Sequence, residues 1–204
     1  MKFQVSAKDK KTLCKQAPEF REVVRRIELD GFECNGDLFH ALVQSIISQQ
    51  LSIKAADTIY NRVEQLLGTI TAENLKSAAV EELRACGLSA RKIEYLRGIT
   101  DAVLSGRIDF DALARLPDEE IMKELVKLKG VGEWTAEMLL IFALGRPDVL
   151  SFKDLGIRRG IMLLNQLEEL TEEDFEVYRK RCSPYGTLAS LYLWRIKDGG
   201  LSVK

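Results

Sequence analysis

Val126-Lys127-Leu128-Lys129-Gly130-Val131-Gly132-Glu133-Trp134-Thr135-Ala136 holds two glycines one residue apart, between a helix expected to end near Lys127 and another expected to begin near Glu133. Glycine permits left-handed backbone and lets a partner come close to the main chain. The second helix opens with unpaired N–H groups at the positive end of its dipole, a place that suits an anion such as phosphate. Val131, between the glycines, is placed to anchor the turn in a core. Two readings follow: an ordinary tight helical hairpin, or a hairpin that grips a phosphate. The Gly-Val-Gly signal alone does not choose between them.

Outward from the hairpin nearly everything reads as helix. From Asp37 to Gln50, Leu38, Leu42, Ile46 and Phe39, Val43, Ile47 recur every four residues and make one broad apolar stripe, with Asp37 as N-cap. A helix from about Ser52 puts Ile53, Ala56, Tyr60, Val63 and Leu67 on one face and ends at Gly68. Further helices are expected at about 73–85, 89–104, 118–127, 133–144, 154–167, 172–181 and 184–197. Thr171 to Asp174 fits a capping box, and Ser183-Pro184 reads as an N-cap before a first-turn proline. Strand-like alternation is confined to residues 2–6. The fold class expected is all-α. The best break in periodicity is Gly145-Arg146-Pro147-Asp148, followed by a short extended run and then Asp154, where another helix begins.

The chain has 204 residues, enough for a sizeable core as one domain or two small lobes. Its net charge of −1 lends no support to nucleic-acid binding, which would need a localised basic strip. Cys14, Cys34, Cys86 and Cys182 lack the short intervals of zinc or iron–sulfur sites and read as reduced thiols. The single histidine, His40, reads as a packed or surface residue and excludes any His-rich metal centre. No apolar run is long enough to span a bilayer, and the opening residues lack a signal-peptide core; a cytoplasmic protein is expected, nucleoid-associated if bacterial and nuclear if eukaryotic.

Joined with Asp154-Leu155-Gly156-Ile157-Arg158-Arg159-Gly160 and with Ser48-Gln49-Gln50 after the first long helix, the hairpin resembles the helix-hairpin-helix-GPD superfamily of DNA glycosylases, nearest the 3-methyladenine DNA glycosylase II type. The resemblance spans roughly residues 36–197. It implies two helical lobes, 36–145 and 1–35 with 146–204, with a DNA-binding cleft between them; the long relatives carry an extra β-rich N-terminal domain, for which 204 residues are expected to leave no room. Asp154 matches the catalytic aspartate. Cleaving a base from deoxyribose builds positive charge on the sugar, which a carboxylate stabilises, and the same group can orient the attacking water.

Relatives that also cut the strand carry a lysine where this chain has Trp134, and its amine forms a Schiff base. An indole cannot, so the resemblance implies hydrolysis by water, leaving an abasic site. Lys129 and Lys153 are nearby but at other motif positions. Trp134, Trp194 and Met138 are the implied base pocket, an indole face suiting a cationic alkylated purine. Gln50 matches the side chain that fills the gap left by the flipped base. Gly130, Gly132, Arg158 and Arg159 are implied DNA contacts. Carbonyls of Val126, Leu128 and Val131 are candidates for a Na+ or K+ bridging to phosphate. No organic cofactor is implied, and the expected partner is duplex DNA with a damaged base, bound by a monomer with no membrane association. The rival readings are a glycosylase for a deaminated or oxidised base, and a DNA-binding protein without catalysis.

Overall fold

A computed structural model describes residues 2–200. In chain order, β1 (Lys2–Phe3) is followed by α1 (Ala7–Gln16), α2 (Phe20–Arg26) and β2 (Phe32–Glu33). Next come α3 (Leu38–Ser48), α4 (Ile53–Leu67), α5 (Ala72–Ser77), α6 (Val80–Ala85) and α7 (Ala90–Leu104). Then α8 (Phe110–Leu113), α9 (Asp118–Leu125), α10 (Glu133–Phe142), α11 (Leu155–Asn165), α12 (Glu172–Cys182) and α13 (Gly186–Arg195) lead to a π-helical turn at Ile196–Gly200. The fold is helical, as expected, and none of the described helices is long and apolar enough to cross a membrane.

Two compact units are formed, Met1–Cys34 with Leu140–Lys204, and Asn35–Leu139. The break in periodicity at 145 and this division differ because α10 runs through the division. Its last residues belong to the first unit, where the Cys34 thiol reaches the Ile141 carbonyl and the Phe142 ring meets Phe32.

The core of the first unit gathers Leu13, Phe20, Val23, Ile157, Phe175, Tyr192 and Leu193. Helices α11 and α13 pack against each other, and Gly160 makes that closeness possible. A methyl group there would sit 2.6 Å from the Leu193 carbonyl oxygen. Thr171 caps α12 by accepting the Asp174 amide. The expected cap at Ser183 is not formed. The Ser183 hydroxyl donates instead to Asp148 (2.6 Å), and the same carboxylate accepts the Gly186 amide (3.0 Å), so α13 is capped from the distant 145–148 turn. The helix consequently starts two residues later than the Ser-Pro signal suggests.

In the second unit α3 packs on α4 and α7, and α5 packs on α7. Leu38, Leu42, Val43, Ile46 and Ile47 are buried, and Asp37 accepts the His40 amide at 2.8 Å, matching the expected stripe and cap. Gly68 ends α4 at φ 71°. Ile53 departs from its expected face: it is 83% exposed, in the first turn of α4. The stretch read as one helix over 73–85 is two, broken at Ala78, whose ψ of 138° is extended. The Arg97 guanidinium stabilises the break by donating to the carbonyls of Lys76 and Ala78.

All four cysteines are free thiols. Burial pushes both the Cys182 thiol and the Tyr192 phenol up to about 12, against ordinary values of 9.0 and 10.0. The native state therefore keeps both neutral where the unfolded chain ionises them, and stability falls as pH rises from about 9 toward 12. Thermal unfolding is expected to be insensitive to pH between about 7 and 8.5 and to decline above that range. The Tyr192 hydroxyl has no protein hydrogen-bond partner among the described residues. Tyr192→Phe should therefore leave the neutral-pH stability within ~1 kcal/mol and make the alkaline decline shallower. An equally steep decline in the variant would remove Tyr192 from this account.

Candidate active site

In the first unit, the segment leading to Asp154 is fixed before the aspartate is reached. The Thr187 hydroxyl donates to the Arg146 carbonyl (2.6 Å) and accepts the Val149 amide (3.1 Å), while Ser190 donates to the Val149 carbonyl (2.8 Å). Thr187 and Ser190 are completely buried on α13, so their hydroxyls have to be spent this way. The chain is then delivered to Asp154 as the N-cap of α11, with its side chain accepting the Ile157 amide at 2.8 Å.

The same carboxylate oxygen accepts the indole N–H of Trp194 at 3.0 Å. Asp154 is only 8% exposed, and a charge this sheltered is tolerated where hydrogen bonds replace water. Gly156 allows the indole in. A methyl there would lie 2.9 Å from Trp194 Cδ1 and 3.1 Å from the Asp154 oxygen. Trp194 stacks on Phe142, ring centroids 5.7 Å apart and planes 22° from parallel.

Trp194, expected as a pocket wall, thus holds the carboxylate directly. Phe142, 46% exposed beside it, was not singled out in the sequence, where a phenylalanine at the end of an apolar helix carries no signal beyond hydrophobicity. Of the two expected arginines, Arg158 lies over the Phe152 ring at 5.1 Å, and Arg159 is exposed.

In the second unit, the two hairpin glycines do different work. Gly130 has φ +91° and lies so close to the Tyr95 ring that no side chain fits between them. Gly132 meets nothing within 4 Å where a methyl would stand. Its carbonyl accepts the Ala136 amide, which makes it the N-cap of α10, open to solvent. Val131 is buried between them, as expected, and its amide donates to the Leu128 carbonyl at 3.0 Å. Val126 is exposed at the end of α9.

Lys129 forms an ion pair with Glu94, which lifts its amine above the ordinary lysine value and keeps it protonated. A protonated amine is no nucleophile. Lys153 is exposed. Trp134, 44% exposed, stands in the first turn of α10, with half-buried Met138 one turn further on.

Gln50 is exposed and has φ +59°, one of two left-handed non-glycine residues among those described. Such backbone is uncommon and persists where neighbours enforce it. Here the neighbours are visible. Gln49 donates to the Gly130 carbonyl at 2.9 Å, tying the Gln50 loop to the hairpin. Lys92 donates to the Ile47 carbonyl at 2.7 Å and closes the end of α3, its own pKa depressed by burial. In the sequence Gln49 stands out only within the Ser48–Gln50 motif, without this role, and Lys92 does not stand out. His40 pairs with the Tyr60 hydroxyl, a packing role.

Residues 43–184 match the profile described as "HhH-GPD superfamily base excision DNA repair protein". The chain belongs to this superfamily. It is 40% identical over 162 residues to DNA-3-methyladenine glycosylase 1 of Schizosaccharomyces pombe, covering 77% of this chain and 71% of that protein. The crystal structure of a DNA-3-methyladenine glycosidase from Bacillus halodurans superposes with a TM-score of 0.83 at 39% identity, covering 97% of this chain and 92% of the other. A Schizosaccharomyces pombe 3-methyladenine DNA glycosylase, solved in complex with abasic DNA, gives 0.79 at 33% identity, over 96% of this chain and 98% of its own.

The contrast between the hairpin glycines has a direct check in chemical denaturation. Gly130→Ala is expected to destabilise the protein by at least ~2 kcal/mol, since left-handed backbone and a ring overlap act together. Gly132→Ala should cost less than ~1 kcal/mol, the ordinary loss at an N-cap. Equal costs would mean that both glycines serve the fold alone.

Proposed function

We propose that this chain is a DNA glycosylase that hydrolyses the N-glycosidic bond of alkylated purines, of the 3-methyladenine type, and leaves an abasic site without cutting the strand. The observation that carries the reading is the Asp154 carboxylate, sheltered and held by the Ile157 amide and the Trp194 indole. The names of its relatives, 3-methyladenine glycosylases at 33–40% identity, support the choice of alkylated purine.

The chemistry follows from charge. As the bond to the base lengthens, the sugar acquires oxocarbenium character, and a fixed carboxylate is worth most where little water screens it. Its hydrogen bonds are made before the substrate arrives, so little reorganisation is needed at the moment of reaction. Water supplies the nucleophile, oriented by the same carboxylate, which takes up its proton as the oxygen adds to the anomeric carbon and the base departs with the bonding electrons. A purine alkylated at N3 or N7 is already cationic and leaves readily, so no separate general acid is required.

Trp134, an exposed aromatic face, suits stacking of that cationic base, with Met138 beside it. The open amide of Gly132 and the exposed Arg159 serve as phosphate contacts, with Gln50 filling the vacated position in the duplex. The Leu128 carbonyl keeps a second lone pair beyond its bond to Val131, and uncharged oxygen donors fit a monovalent cation. With Val126 and Val131 it would hold Na+ or K+, which supplies positive charge for a phosphate. One copy of the chain acts on one lesion.

The absence of strand cleavage rests on Trp134 standing where lyases need an amine, and on the Glu94-bound state of Lys129.

Release of 3-methyladenine from a damaged duplex under single-turnover conditions tests the reading. Asp154→Asn keeps an oxygen for the Ile157 and Trp194 donors, so the fold and the affinity for abasic DNA should change little. Base release should fall roughly 100-fold or more. Borohydride should trap no covalent protein–DNA adduct. Undiminished release by the variant would exclude the carboxylate mechanism, and a trapped adduct would exclude hydrolysis by water alone.

A further inference from the structure

Four aromatic rings run in series to the catalytic carboxylate of the first unit, and two of them lie far from it in the chain. Phe3 and Phe32 face each other directly across the β1–β2 ladder and stack with centroids 5.1 Å apart and planes 19° from parallel. Phe32 meets Phe142 at 5.3 Å, and Phe142 stacks on Trp194 at 5.7 Å. The indole N–H of Trp194 then donates to Asp154. We propose that the Phe3–Phe32 pair is a positioning element that, through Phe142, sets the orientation of Trp194 and so the placement of the Asp154 carboxylate. This rests on the glycosylase reading for its consequence in catalysis, though not for the coupling itself.

The physical case begins with Phe142. It is nearly half exposed, so burial alone does not fix its ring, and an exposed aromatic samples several rotamers unless neighbours restrict it. Its ring neighbours are Phe32 and Trp194. Ring pairs at these distances favour particular mutual angles because of their quadrupoles, so the tilt of one ring constrains the next.

Phe32 itself is set by the ladder with Phe3, and the chain just beyond it is tied down where the Cys34 thiol reaches the Ile141 carbonyl, one residue before Phe142. At the other end the hydrogen bond from Trp194 depends on where the indole edge points. The indole lies close over Gly156, within 3.3 Å of where a methyl would stand, so a tilt of the ring would move its N–H relative to the carboxylate. Phe3, Phe32 and Trp194 all fall outside residues 43–184, the part that matches the superfamily profile.

The experiment uses the full chain and two independent readouts. The first is the indole 1H–15N resonance of Trp194 in the DNA-free protein, assigned against Trp134→Phe, since the chain has two tryptophans. The second is the single-turnover rate of base release, read beside the affinity for a duplex with a tetrahydrofuran abasic site. Phe32→Leu is expected to shift the Trp194 resonance and to slow base release about tenfold or more, with affinity changed less than about threefold, as expected when geometry rather than binding is lost. Phe32→Tyr, which keeps the ring, should restore both.

Phe3→Leu, at the far end of the series, should move both readouts in the same direction by smaller amounts. It carries the test if Phe32→Leu is poorly folded. A Phe32→Leu protein whose Trp194 resonance stays in place overturns the proposal, whatever its rate. So does a shifted resonance with an undiminished rate, provided Asp154→Asn is inactive. Full activity in Asp154→Asn counts instead against the glycosylase mechanism, and the indole shift then still decides whether the rings are coupled.

Discussion

The Asp154 carboxylate is largely withdrawn from water, and two N–H donors replace part of its hydration. One donor is a backbone amide of the helix that Asp154 caps, and the other is a side chain from α13. Both must be present with little freedom, because a buried charge left partly satisfied costs several times what a typical hydrogen bond contributes. Much of the surrounding architecture follows from that demand. Gly160 lets α13 approach α11, Gly156 lets the indole slip over the first turn, and the buried hydroxyls of Thr187 and Ser190 hold the incoming strand of chain to the same helix. A one-carbon addition at either glycine would push apart the elements that bring donor and acceptor together.

The second unit meets a different demand, the tight turn between α9 and α10. It divides the task between two glycines. Gly130 takes up the left-handed geometry and the contact with Tyr95, while Gly132 stays open at the start of α10. The Gln50 loop is then braced on the hairpin through Gln49, so a residue with left-handed backbone is supported by the neighbouring turn.

What could be read in the sequence was whatever depends on neighbours close in the chain. Asp37, Thr171 and Asp154 cap helices as their local pattern indicates, and Gly68 ends one. The long-range substitutions could not be read. Asp148 caps α13 in place of Ser183, and Arg97 staples the break at Ala78; both act across distances that periodicity does not register. Helices α2 and α8, of seven and four residues, carry too few repeats to show a face, whereas α1, of ten residues, opens on a Ser6–Asp9 capping box, a local signal that the sequence reading leaves unused. For the site, residue type plus motif position located Asp154 and Trp194, but not the bond between them. Phe142 and Lys92 have no pattern to announce them, and Gln49 enters only as the middle of the Ser48–Gln50 motif; the roles of all three come from what the fold places beside them.

If a fixed carboxylate acts by answering positive charge on the sugar, the protein should prefer a charged mimic of that state over a neutral one. The most direct measurement compares the dissociation constants of two duplexes, one with a cationic pyrrolidine at the abasic position and one with neutral tetrahydrofuran, for the native chain and for Asp154→Asn. The native chain should bind the cationic duplex at least about tenfold more tightly, and the variant should lose most of that margin. A preference that survives intact in Asp154→Asn would contradict an electrostatic role for this aspartate.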